Sequence, residues 1–222
     1  MTDEEIKLDL MRSERVGFGE AIFCQQKSVA QIGRILELAG DAGAPLLLTR
    51  LSATQYAELG PELAERLDYD PVSGTAFFDF VASGSSAGRQ VAVVAAGTSD
   101  AGPAHEVLRT LAFNDVNATA IFDVGVAGLW RLMERLEEIR QHDVIIAVAG
   151  MDAALVSVLG GLVAQPLIAV PTSTGYGAAR NGETALAASL VSCASGVTVC
   201  NIDNGYGAAC AALRILGRAK LG

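Results

Sequence analysis

DVIIAVAGMDAALVSVLGGLVAQPLIAVPTSTGYG, residues 143–177, is the stretch on which the fold turns. Its middle, Ala153 to Val170, carries no charge and approaches the length of a membrane span. Gly160, Gly161, Gln165 and Pro166 interrupt that run. A buried strand from Asp143, a helix from Ala153 to Leu162 closed by the paired glycines, and a second strand after Pro166 explain it better. Strands of a parallel sheet are covered on both faces and read as unbroken apolar runs. The stretch is therefore expected to be a strand, helix, strand unit and not a membrane element.

The same rhythm extends in both directions. VAVVAAG from Val91, ATAIFDV from Ala118 and VTVCNID from Val197 are further apolar runs. Between the runs lie segments of helical spacing: His105 to Phe113, Ala127 to Arg140, Thr184 to Ser192 and Ala208 to Arg218. Alternation of this kind implies right-handed crossovers and an α/β three-layer sandwich around a parallel sheet. The small residues in ALVSVLGG, ALAASL and GAACAAL allow close approach to the sheet or to a neighbouring subunit.

Residues 1–88 differ. They hold more charge, a helix candidate from Ser28 to Ala39, and strand candidates at PLLLT from Pro45 and at Phe77 to Val81. We read them as a small N-terminal α+β domain with its linker, and residues 89–222 as the α/β domain. SGSSAGR, Ser83 to Arg89, has the composition of a flexible joint. Gly84 to Gly88 also fits the GxSxG pattern of a nucleophile elbow. That turn needs a helix after it, and a strand follows here.

With 222 residues, 51% of them hydrophobic, there is ample material for a core. A net charge of -9 with no cationic cluster argues against a nucleic-acid partner. Cys24, Cys193, Cys200 and Cys210 show no CxxC spacing, so free thiols in a cytoplasmic protein are expected.

Four polar stretches punctuate the strand ends: GTSD (97–100), AGMD (149–152), PTSTGYG (171–177) and NIDNGYG (201–207). Ligands of open α/β sheets bind at that edge. GTSD precedes a helix, whose N–H groups and dipole suit an anion such as phosphate; alternatively Ser99 or Asp100 simply caps the helix. GYGAAR from Gly175 and GYGAAC from Gly205 lack the third glycine of a dinucleotide fingerprint, which disfavours a nicotinamide dehydrogenase. Asp123, Asp152 and Asp203 sit at strand ends and should converge on one rim, where carboxylates serve acid/base or magnesium chemistry. His105 and His142 lack ligand-spaced partners for zinc. Cys193, in SCASG, is either a small apolar filler or a nucleophile. The topology places it at the rim opposite the strand ends, a conflict that a site shared with another subunit would resolve.

Taken together, RSERVGFGEAIFCQQKS, GTSDAGPAHE, DVGVAGLWR, the 147–182 stretch, SCASGV and NIDNGYGAA resemble the LarB family of nickel-pincer cofactor biosynthesis, whose C-terminal domain is similar to the phosphoribosylaminoimidazole carboxylases. The resemblance covers nearly the whole chain. It implies carboxylation of the pyridinium ring of nicotinic acid adenine dinucleotide by carbon dioxide or bicarbonate, with cleavage of the phosphoanhydride. The products would be pyridinium-3,5-biscarboxylic acid mononucleotide and AMP. It further implies Cys193 as nucleophile and Asp152 as the acid that handles the ring proton. Gly97, Thr98, Ser99, Asp100, Asp123, Met151, Thr172, Ser173 and Tyr176 would hold the ligand, with Arg15 and Lys27 from the small domain meeting its negative groups. Mg2+ and a homo-oligomer, an octamer or dimers associating into one, are expected as well. The chain departs from the family pattern at Asp152 and His105, where the family has Glu, and at Trp130, where it has His. An aminoimidazole ribonucleotide carboxylase or mutase is the alternative enzyme, although AGMDAAL lacks the histidine of that family's element. A nucleotide-binding sensor without catalysis is the alternative from another class.

Overall fold

The computed structural model describes residues 6–82 and 90–217. Two compact units make up the chain, one from residues up to 82 and one from 90 to 216. The joint inferred at 83–89, and the GxSxG match within it, lie outside the described residues.

The first unit contains α1 (Arg12–Val16), β1 (Ala21–Phe23), α2 (Val29–Asp41), β2 (Leu46–Thr49), α3 (Ala53–Glu58), α4 (Pro61–Ala64), β3 (Leu67–Asp70) and β4 (Thr75–Phe78). Its sheet runs β1-β2-β4-β3, parallel between β1 and β2 and antiparallel elsewhere. Helix α2 starts where expected because Ser28 and Gln31 form a capping box, which satisfies two backbone donors left over at a helix start. Its buried face, Ile32, Ile35, Leu36 and Ala39, packs with Leu46, Leu48 and Phe78 of the sheet. The last strand spans Thr75–Phe78 rather than running on to Val81. Asp79 adopts φ 47°, which turns the chain out of the ladder.

In the second unit, β5 (Val91–Ala95), α5 (Ala101–Phe113), β6 (Ala118–Ile121), α6 (Leu129–Ile139), β7 (Val144–Ala149), α7 (Ala154–Gly160), β8 (Leu167–Pro171), α8 (Glu183–Leu190), β9 (Thr198–Val199) and α9 (Gly205–Ile215) alternate along the chain. The sheet is all parallel, in the order β6-β5-β7-β8-β9. Strands β5, β7 and β8 are buried at every position, which is what their uninterrupted apolar runs require. Side chains alternate across such strands. Ala92, Val94, Ile145, Ala147 and Ala169 therefore meet Leu132, Leu136, Leu155 and Leu159 of α6 and α7 on one face. The intervening residues point to the other face, where α5 and α9 pack together. The result is a three-layer α/β sandwich.

The strand order places the site. From β5 the chain steps to β6 on one side, then crosses back over β5 to β7 on the other, and continues outward to β9. The loops leaving β5 and β6 consequently diverge on opposite sides of a crevice between the carboxyl ends of β5 and β7. Ligands of doubly wound sheets occupy such switch points. Among the described residues, no helix is long and apolar enough to cross a membrane.

Candidate functional site

A cleft of about 620 Å³ lies at the switch point. It is walled by the loop after β5 (Ala96–Asp100), the loop after β6 with the first turn of α6 (Asp123 to Arg131), the turn after β7 (Gly150–Asp152) and Thr174 from the loop after β8. The polar stretches at 97–100, 149–152 and 171–177 thus meet at one edge.

Each wall is built by local chemistry. Thr98–Asp100 form a single 3-10 turn leading directly into α5, so the positive end of a 13-residue helix faces the cleft. Asp100, only 3% exposed, accepts from Gly97 N–H at 2.9 Å and from the Thr172 hydroxyl at 2.6 Å. Thr174 donates its hydroxyl to Ser99 O at 3.1 Å. The loops after β5 and β8 are thereby tied together across the end of β7. Asp100 and Thr172, both expected as ligand contacts, bond each other in this tie and so position the loop that carries Thr98 and Ser99, which are exposed. Asp100→Asn replaces one acceptor oxygen with an amide donor facing a donor. A loss of about 1.5 kcal/mol in unfolding free energy is expected, measured by denaturant titration.

Two glycines are obligatory at the rim. A Cβ on Gly125 would lie 2.8 Å from Ala96 O, and one on Gly150 would lie 2.5 Å from Thr174 O and 2.6 Å from Thr172 Oγ1. The backbone here is also strained. Asp123, Met151, Ala153 and Asp203 all hold positive φ, between 49° and 58°, at the ends of β6, β7 and β9. Non-glycine residues persist in that region where surrounding structure imposes it, as it often does at functional sites.

The carboxylates differ in what they do. Asp152 is exposed beside the start of α7 and accepts from Ala154 N–H at 3.3 Å, a longer contact than those of the other acids of the cleft. Asp123 is paired with Arg131 at 2.6 Å. Asp203 lies on the same rim but accepts from Ser173 N–H at 2.8 Å and is not part of the cleft wall. Ser173 and Tyr176 also lie off the wall, Tyr176 being 82% exposed on the loop after β8. Met151 lines the cleft, half exposed. Arg131, absent from the residues picked out in the sequence, is the only cationic side chain among the described residues of the wall. Among the described residues, no three His, Cys, Asp or Glu side chains gather as a metal cage. In the first unit, Arg15 forms a two-pronged contact with Asp9, at 2.9 and 2.6 Å, and Lys27 lies between β1 and the capped start of α2.

Cys193 is exposed in the turn between α8 and β9 and does not line the cleft. The turn is held by the far half of α7: Ser157 and Ser192 share a hydrogen bond at 2.8 Å, and Ala194 N–H donates to Ser192 Oγ at 3.2 Å. Gly160 leaves room for Ala194, whose Cβ would be 2.6 Å from an added methyl. The thiols are sharply unequal. Cys24 is fully buried, and burial pushes its thiol up to about 12 from 9.0. Burial also raises Cys200. Alkylation of the native protein near pH 8 should therefore modify Cys193 well ahead of Cys24, as read by peptide mass spectrometry. Because the folded thiol of Cys24 holds its proton more tightly than the unfolded one, its contribution to stability is complete below about pH 9 and fades as pH rises toward 12.

Residues 3–79 match the LarB/PurE-like N-terminal domain, and residues 90–221 match the AIR carboxylase domain. The chain belongs to the AIR carboxylase family, in its LarB-like architecture. This family member is also similar to an uncharacterised protein of Methanocaldococcus jannaschii, with 34% identity over 214 residues, 93% of this chain and 82% of that protein. Together the two domains support a carboxylase-family function for the chain.

Proposed function

We propose that the protein carboxylates the pyridinium ring of nicotinic acid adenine dinucleotide and cleaves its phosphoanhydride, releasing pyridinium-3,5-biscarboxylic acid mononucleotide and AMP. The observation that supports this substrate most directly is the charge pattern of the cleft. The exposed acids Asp123 and Asp152 line it against a single Arg131, while the start of α5 opens into the same space. Acidic walls complement a ring cation, and the helix start and the guanidinium complement its anionic substituents. A neutral aminoimidazole would gain nothing from the acids. The AGMDAAL turn also supplies no histidine to the cleft wall.

In the proposed reaction the Cys193 thiolate adds to the pyridinium ring, forming a C–S bond and leaving an enamine-like ring whose carbon attacks carbon dioxide. Asp152 takes the proton from the newly carboxylated carbon, and the thiolate departs as the ring regains aromaticity. Water then supplies the oxygen that separates AMP from the mononucleotide. Since Cys193 lies off the cleft of its own chain, it acts in the cleft of a neighbouring protomer of a homo-oligomer. Thr98 and Ser99 hold a phosphate at the start of α5. Mg2+ would enter with the ligand, held by the substrate phosphates and by one carboxylate of the cleft, Asp123, which leaves Asp152 free as the base. The cytoplasm, with its reduced thiols, is the proposed compartment.

The test is incubation with nicotinic acid adenine dinucleotide, bicarbonate and magnesium, following AMP and a mononucleotide heavier by one carboxylate. Both products should appear together. Tight nucleotide binding without turnover would mark a sensor, and turnover of aminoimidazole ribonucleotide instead would return the chain to the parent carboxylase activity.

A further inference from the structure

Between Asp152 and Asp203 the chain carries only two charged side chains, Arg180 and Glu183. That stretch supplies α7 and α8, which lie side by side on one face of the sheet, with α7 also touching the turn that leads into α6. Their outward sides are as free of charge as their inward ones. Ala154, Ser157 and Val158 are partly exposed on α7, Ala187 and Leu190 are exposed on α8, and Val191 at its cap is 81% exposed. A solvent-facing helix ordinarily shows a charged side, and one that is apolar all round belongs in an interior. Leu129, Trp130 and Met133 extend the apolar area onto the first turns of α6. Of the exposed large apolar side chains described in this unit, only Ile215 lies outside α6, α8 with its cap, and the loops entering α7 and α8. Exposed apolar area gathered in this way marks an interaction surface.

We infer that the outer side of α7 and α8 is the contact with a second copy of this chain, made across a two-fold axis that runs the two α7 helices in opposite directions. Charge argues for a copy over a charged partner. Near a two-fold axis each group meets its own counterpart, so a charge there would face a like charge, and residues 153–179 hold none. Arg180 and Glu183, both exposed, are opposite in sign and three residues apart, so the face meets itself without net repulsion. The direction follows from the site. Asp152 and the cleft lie at the start of α7, while the Cys193 turn is hydrogen-bonded to its middle and packed against its end. Opposed α7 helices lay each chain's Cys193 turn against the start of the other's α7, so a single contact completes two clefts. Parallel helices would leave both thiols at the far end. This contact presupposes that Cys193 serves a neighbour's cleft, as proposed above, and specifies the face that carries it there.

Analytical ultracentrifugation of the full-length protein gives the mass of the assembly. Val191→Glu alters a side chain that is exposed in the single chain, so the fold is kept, and it brings a carboxylate into the contact twice, once from each copy. It should raise the dissociation constant about 100-fold or more and lower the mass to that of a smaller assembly. Val191→Thr, uncharged and of similar shape, should assemble like the parent. For the direction, Val158→Cys on a Cys193→Ser background should form a disulfide between the two introduced thiols on mild oxidation, identified by peptide mass spectrometry. A residue in the middle of α7 meets its own copy where the opposed helices cross. Val72→Cys on the same background, exposed in the first unit, gives the rate of random pairing. The contact is overturned if the parent is a monomer, if Val191→Glu keeps the parent's mass, or if the thiols of Val158→Cys pair no faster than those of Val72→Cys. Mass and cross-linking need no turnover. A protein that assembles in this way but leaves the dinucleotide unconverted overturns the proposed reaction and leaves the contact standing.

Discussion

Replacing Cys193 by serine is expected to lower carboxylation by on the order of 10³-fold or more, because a hydroxyl cannot add reversibly to the ring as a thiolate does. Stability should move by no more than about 0.5 kcal/mol, since the thiol is exposed at the tip of a turn. Rates of AMP and biscarboxylate formation, with a thermal melt of each variant, measure both. Geometry adds a second arm. Helix α7 has seven residues, about 10 Å in length, with Asp152 preceding its start and the Cys193 turn hydrogen-bonded to its middle and packed against its end. The two proposed catalytic groups of one chain are thus associated with different parts of this helix. Mixing inactive Cys193→Ala and Asp152→Asn proteins under conditions of subunit exchange should restore activity, because some sites then receive an intact cysteine from one chain and an intact acid from another. Persistent inactivity of the mixture would remove the shared site, and full activity of Cys193→Ser would remove the cysteine from the mechanism.

The second large effect is expected from Gly150→Ala. The added methyl would lie 2.5 Å from a backbone oxygen and 2.6 Å from two atoms of Thr172 and Thr174, so the turn after β7 must separate from the loop after β8. Overpacking of this kind costs about 1–3 kcal/mol. The larger consequence is for chemistry: a displacement of about 1 Å at a reacting group can cost roughly 10²-fold in rate. Denaturant titration and steady-state kinetics should show a moderate loss of stability beside a disproportionate fall in kcat. Gly161→Ala provides the contrast, because a Cβ there meets only ordinary contacts at 3.6 Å or more.

The α/β unit was legible because its strands are buried on both faces. VIIAVA and LIAVP cannot alternate, and paired glycines and a proline separate them from the helix between. The first unit was harder. Strand β1 is only three residues long and β3, LDYD, carries two acids, so neither shows the apolar run that marks a buried strand. The rim was visible from its glycines and acids, but spacing does not say which polar groups bond each other. Asp100 and Thr172, 72 residues apart, give no sign in the sequence of their mutual hydrogen bond. Arg131 was passed over because a basic residue in an amphipathic helix ordinarily faces solvent. Only the strand crossing at β5 and β7 turns the first turn of α6 toward the cleft.

Helix α9 carries a consequence for biogenesis. Gly205 lets its backbone close on Pro103 O, and the buried Glu106 carboxylate accepts from Tyr206 N–H across 100 residues of sequence. An element from the beginning of the unit is therefore completed by one from its end. A nascent chain lacking that last helix leaves α5 without its packing partner and the outer face of its sheet half bare. The unit should accordingly mature only after synthesis has passed Ile215, and until then it depends on shelter from other partially made chains.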